Sequence, residues 1–152
     1  MMKRATPYLY FVGKTEEAFE FYRSVFGGEF TAVIRYRDMP SPEAEDGASD
    51  LGEDADLIAH ISLPIARETS LMGSDVSSSG AAAYTVGTNV EIHLEAEDAD
   101  EARRVFDALS EGGTTQMPLE PSPWSALFGA CIDRYGIRWL IDYTGDVEFA
   151  PG

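Results

Sequence analysis

The chain has 152 residues, 44% of them hydrophobic and 11% aromatic, enough for one compact body to bury about two-thirds of its unfolded surface without a disulfide or metal staple. Eleven Lys and Arg stand against 27 Asp and Glu, a net charge of −16, which repels phosphate backbones and anionic bilayers and excludes nucleic acid and membrane surfaces as partners. No apolar run approaches the roughly 18–20 residues of a membrane helix, and the opening MMKRATPYLYF lacks the apolar core of a signal peptide, so a cytoplasmic protein is expected.

In chain order, the first element is an extended run, Thr6–Val12, dense in aromatic residues and too short for a buried helix. Ala18, Phe19, Tyr22, Val25 and Phe26 then recur at helical spacing behind Thr15 as N-cap. Glu16 and Glu17 suit the positive end of that helix dipole, and Gly27 and Gly28 end the helix. Strands follow over Glu29–Arg37, Leu57–Leu63 and Thr69–Gly73. Between the first two lies an insertion, Asp38–Asp56, rich in acids and free of bases. It reads as a solvated loop, with a lid over a pocket as the sharper alternative. The small residues of Ser74–Ala83 fit a flexible linker, and without the G-x-x-x-x-G-K-[ST] pattern they do not make a phosphate loop.

The second half opens with another extended run, Val90–Ala96. Asp98 and Glu101 then form a capping box, Ala102, Val105, Phe106 and Leu109 an apolar stripe, and Gly112 and Gly113 a stop. Three strands close the chain: Thr114–Leu119, Trp124–Asp133 and Ile137–Tyr143. In the DRYG segment, Asp133 and Arg134 set a turn, with Gly136 in a conformation other residues resist. The only cysteine, Cys131, reads as a small buried hydrophobe.

The two halves repeat. At an offset of 84 residues, Glu17 falls on Glu101, Ala18 on Ala102, Gly28 on Gly112 and Thr31 on Thr115, and the strand and helix boundaries recur in step. Each half therefore reads βαβββ: module one over about 5–75, a linker over about 76–86 and module two over about 87–145, in a single domain covering 1–152.

Duplicated βαβββ modules resemble the vicinal oxygen chelate superfamily of glyoxalases, bleomycin resistance proteins and dioxygenases. Within it the chain resembles the PhnB-like branch: TPYLYF, EEAFEFYRSVFGGE, RYRDMP and HISL in the first half, and MPLEPSPWSALFGACIDRYGIRWLI in the second. The resemblance implies an α+β fold in which the modules form a curved, cup-like mixed β-sheet with the helices outside. It also implies a homodimer and a small-molecule ligand.

Metal-dependent members hold a divalent ion with one residue from the first and one from the last strand of each module, leaving sites open for two substrate oxygens to be polarised. Carried onto this chain, the four places fall at Pro7, about Met72, Glu91 and about Trp139. Proline and tryptophan cannot donate and a thioether suits such ions poorly, so the expectation is no metal and no other cofactor. The alternative is Mn, Ni, Zn or Fe at an off-pattern site of His60, Glu91 and His93. Those three are also the candidates for acid–base chemistry, because histidine titrates near neutrality and Glu91 and His93 share one strand face. Hydrogen bonding of His93 to Glu91 or to backbone is the structural alternative.

By the repeat, Pro7, Leu9 and Phe11 share the face of Glu91 and His93, while Ile92 and Leu94 point to the helix side. A mostly apolar pocket then carries Leu9, Phe11, Met72, Trp124, Phe128 and Trp139 as ligand contacts. Arg35, Arg37, Arg134 and Arg138 are candidates for an anionic group. Two functions stay open: a metal-independent binding protein, or a lyase, isomerase or dioxygenase using a metal.

Overall fold

The computed structural model describes residues 1–40 and 51–148; ten residues of the acidic insertion, and with them most of the expected lid, lie outside that range. The chain divides into two compact units, Met1–Thr85 and Val86–Gly152. Unit one runs β1 (Tyr8–Phe11), α1 (Thr15–Phe26), β2 (Ala32–Arg35), β3 (Ile58–Pro64) and β4 (Ser70–Asp75). Unit two runs β5 (Ile92–Glu95), α2 (Ala99–Ser110), β6 (Thr114–Glu120), β7 (Leu127–Ile132) and β8 (Arg138–Tyr143). Each unit is βαβββ, as the repeat implied.

The sheets have the same topology. Their orders are β1-β4-β3-β2 and β5-β8-β7-β6. In each, the first strand lies parallel to the last and the remaining pairs are antiparallel. A parallel neighbour requires a crossover, and the single helix of each unit supplies it.

The helices form where the apolar stripes predicted them. Ala18, Phe19, Tyr22 and Val25 bury one face of α1, and Ala102, Val105, Phe106 and Leu109 one face of α2. At the start of α2 the Asp98 carboxylate accepts the Glu101 N–H at 2.8 Å, while the Glu101 carboxylate accepts the Glu97 N–H at 3.0 Å. The start of α1 differs from expectation: Lys14 occupies the N-cap without a side-chain bond, and Thr15 is the first helical residue, fully buried. Its N–H and hydroxyl both donate to Asp75 Oδ1, at 3.1 and 2.8 Å. The cap comes from a strand far along the chain, because a carboxylate there satisfies an orphan helix donor and faces the positive end of the dipole.

Close packing against α1 also explains Gly73. A Cβ there would stand 2.8 Å from both the Phe19 ring and the Leu9 carbonyl oxygen, so only glycine lets β4 pass under the helix. The Ser74–Ala83 segment is less free than its composition suggested. It completes β4, and it is pinned by Ser78, whose N–H and hydroxyl donate to Asp54 at 3.0 and 2.8 Å. Tyr84 just beyond donates to the Tyr10 carbonyl at 2.9 Å.

Cys131 is buried on β7, and burial pushes its thiol up from the ordinary value of 9.0. Only the thiolate is a nucleophile, so native protein at about pH 8 should react with iodoacetamide far more slowly than urea-unfolded protein, read by mass spectrometry. The native state holds the proton more tightly than the unfolded chain, so this contribution to stability is complete below the unfolded thiol's value and is lost as pH rises through the native one.

Candidate functional site

In unit one, Gly73 faces α1, and strand alternation fixes the rest. Gly73 is in register with Leu9 and Ile61, so Leu9, Phe11, Ile61, Leu63 and Leu71 turn toward the helix, and Tyr8, Tyr10, His60 and Met72 turn to the opposite face. Tyr8 lies opposite Met72, and Ile34 opposite His60. The Tyr8 hydroxyl and His60 Nδ1 share a hydrogen bond of 3.1 Å, with the two rings stacked at 5.7 Å between centroids. Tyr10 packs on Tyr8 at 5.1 Å. Both tyrosines are exposed. The expectation for Leu9 and Phe11 is thereby corrected: Phe11 is buried in the core, and the ring surface on the open side belongs to its neighbours Tyr8 and Tyr10.

In unit two the expected alternation holds. Ile92 and Leu94 are in register with Trp139 and Ile141, which are buried, and His93 stands on the other face with Leu140. Trp139 is therefore core rather than ligand-lining. It is fully buried, and its indole N–H donates to Asp133 Oδ2 at 2.8 Å. That carboxylate also accepts the Tyr135 and Ile137 N–H groups at 2.8 and 3.1 Å, and Gly136 adopts φ 88° in the turn the DRYG segment predicted.

His93 is not paired with Glu91. Its Nε2 lies 3.2 Å from Asp142 Oδ2, and the Ser125 hydroxyl donates to Asp142 Oδ1. Side chains two apart on one strand share a face but stand about 6–7 Å apart, whereas diagonal neighbours on adjacent strands also come within reach of long side chains. Glu91 instead stands 4.0 Å from Arg138 Nε in an ion pair. Trp124 meets Phe128 edge to face at 5.3 Å, and Phe128 is directly opposite Asp142. Sequence reading missed Tyr8, Tyr10, Ser125 and Asp142. For Asp142 the signal was available: in RWLIDY it alternates with the apolar Trp139 and Ile141.

The arginines expected to greet an anion are engaged within the chain. Arg35 bonds the Glu16 carboxylate and the Asp56 carbonyl, Arg37 bonds the Asp56 carboxylate, and Arg134 holds the Glu111 carbonyl at the end of α2.

Two tandem βαβββ units, each one helix crossing a four-stranded mixed sheet, define the vicinal oxygen chelate fold. The sequence matches the Glyoxalase/Bleomycin resistance protein/Dioxygenase superfamily over residues 4–141, and the chain belongs to that superfamily, in its PhnB-like branch. It is 31% identical over 140 residues to Protein YjdN of Escherichia coli (strain K12), covering 90% of this chain and 92% of that protein. The crystal structure of protein PA1353 from Pseudomonas aeruginosa superimposes with a TM-score of 0.77 at 34% identity, over 93% of this chain and 98% of that one. A Bacillus cereus structure described as a putative 3-demethylubiquinone-9 3-methyltransferase, PhnB protein, gives 0.72 at 27% identity, over 93% and 99%.

At the four positions to which the resemblance carries the superfamily's metal ligands, the side chains present suit a hard divalent ion poorly. Pro7 offers only a carbonyl, already accepting the Met72 N–H at 3.1 Å. Met72 offers a thioether, Trp139 is in the core, and Glu91 lies 4.0 Å from Arg138 Nε. Among the described residues, no group of three or more His, Cys, Asp or Glu side chains is gathered to hold an ion. No helix among them is long and apolar enough to cross a membrane.

Proposed function

We propose that this protein binds a small organic molecule without the divalent ion its superfamily commonly uses, acting as a cytoplasmic homodimer. The carrying observation is the donor set: proline, methionine and a core tryptophan at three of the four metal places cannot make the hard, open coordination site that substrate chelation needs. In unit one the Tyr8, Tyr10, His60 and Met72 face, and separately in unit two the Trp124–Phe128 pair, each offer apolar and aromatic surface with few polar groups, the usual make-up of ligand-contacting surface.

Melting temperature with a library of small aromatic and aliphatic compounds, in EDTA, tests this reading. A compound at about 100 times its Kd should raise the midpoint by about 5–10 °C. Shifts that appear only when a divalent metal is supplied would count against it. Light scattering on the same sample should give twice the chain mass.

A further inference from the structure

The Ser125–Asp142–His93 chain on β8 and β5 has an order with chemical consequences. Nε2 of His93 faces Asp142 Oδ2 at 3.2 Å, and the tautomer that donates to this carboxylate is the one that leaves Nδ1 its lone pair. The Ser125 hydroxyl, buried, donates to the other carboxylate oxygen rather than to the imidazole, so it is not an activated nucleophile; it holds Asp142 in place. The His93 side chain is 50% exposed while Asp142 is 14% exposed. The fixed end of this chain is thus inside and its accepting end is outside. Beside it are the rings of Phe128, opposite Asp142, and Trp124, itself 44% exposed.

The charges nearby select against anions. Glu95 stands opposite Asp142 in the β5–β8 register, and Arg138, on the same face of β8, lies 4.0 Å from the Glu91 carboxylate, its buried Nε without a hydrogen bond. We propose that His93 Nδ1 is a fixed hydrogen-bond acceptor in a ligand subsite of unit two, and that the ligand is a planar aromatic molecule bearing a hydroxyl or N–H donor and no anionic group. Asp142 is a positioning residue for His93. This inference rests on the small-molecule reading and specifies its ligand class.

Calorimetric titration at about pH 8 compares 2-naphthol, 2-methoxynaphthalene and 2-naphthoate. The expected result is binding of 2-naphthol, about tenfold weaker binding of its methyl ether, which lacks the donor, and no preference for the carboxylate. In His93→Phe, which keeps a ring on an exposed position, the naphthol and its ether should bind alike. Equal affinities in the native protein, unchanged discrimination in His93→Phe, preference for naphthoate or binding of none of the three would each overturn the inference. The small-molecule reading would survive those results if other compounds raise the melting temperature in EDTA.

A ligand-free readout accompanies it. Long-range proton–nitrogen correlation spectra should show His93 as the Nε2–H tautomer, with His60→Gln assigning the signals, since the chain has two histidines. Asp142→Asn should loosen that preference while the fold, followed by amide shifts, persists. An Nδ1–H tautomer in the native protein contradicts the proposal.

Discussion

Replacing Asp133 with alanine should lower the unfolding free energy by about 3–5 kcal/mol, measured by urea denaturation followed by far-ultraviolet circular dichroism. The side chain is buried and its two oxygens accept three hydrogen bonds, from Tyr135 N–H, Ile137 N–H and the Trp139 indole. Truncation removes the acceptor of all three bonds, and each lost bond costs about 1–3 kcal/mol. Asp133→Asn, which keeps one accepting oxygen, should cost less. A double-mutant cycle separates the indole bond: Trp139→Phe should cost less in the Asp133→Ala background than in the native chain, because its acceptor is already gone. Full additivity would show that the bond contributes nothing.

The second large effect is expected at Asp75, in unit one. Asp75→Ala strands the Thr15 N–H and hydroxyl and the Ile58 N–H, which donate to it at 3.1, 2.8 and 2.9 Å, and should cost about 3–4 kcal/mol in the same assay. The carboxylate also faces the first turn of α1, so part of this loss is the charge–dipole interaction at that end. Thr15→Val removes one bond and leaves the carboxylate its other donors, so its expected cost is about 1 kcal/mol. Equal losses for the two variants would contradict the assigned bonding. Each carboxylate ties a strand end or turn to a partner that no local pattern reveals.

These two residues also mark how far sequence reading reached. Element order, both helices and the duplicated topology were legible, because apolar stripes at helical spacing and glycine stops are local signals. The 84-residue offset matches α1 to α2, yet it inverts β1 against β5. Strand side chains alternate with period two, so a one-residue difference in how a strand is turned against its helix exchanges the faces even though three residues separate strand from helix in both units. In β5 the alternation of Ile92, His93, Leu94 and Glu95 shows which face is which. In β1 every residue of Tyr8–Phe11 is apolar or aromatic, so the pattern carries no such information, and Leu9 and Phe11 were assigned to the open face that Tyr8 and Tyr10 occupy.

The site was less legible than the fold because its bonds are long-range. His93 draws its partner from β8 rather than from Glu91, two positions away. Trp139, an aromatic in a strand beside charged neighbours, reads equally well as packing or as ligand contact until the Asp133 acceptor six residues earlier is in view. Thr15 has the composition of an N-cap, but its hydroxyl is taken by Asp75.

The central claim, ligand binding without a superfamily metal, is tested most directly by elemental analysis of untagged protein, paired with melting temperatures in added Mn²⁺, Ni²⁺, Zn²⁺, Fe²⁺ and EDTA. Any ion bound only by the native state must raise the midpoint. Far less than one ion per chain and a midpoint indifferent to metal and chelator are expected. Near-stoichiometric metal, with a metal-dependent shift abolished by His93→Ala, would contradict it.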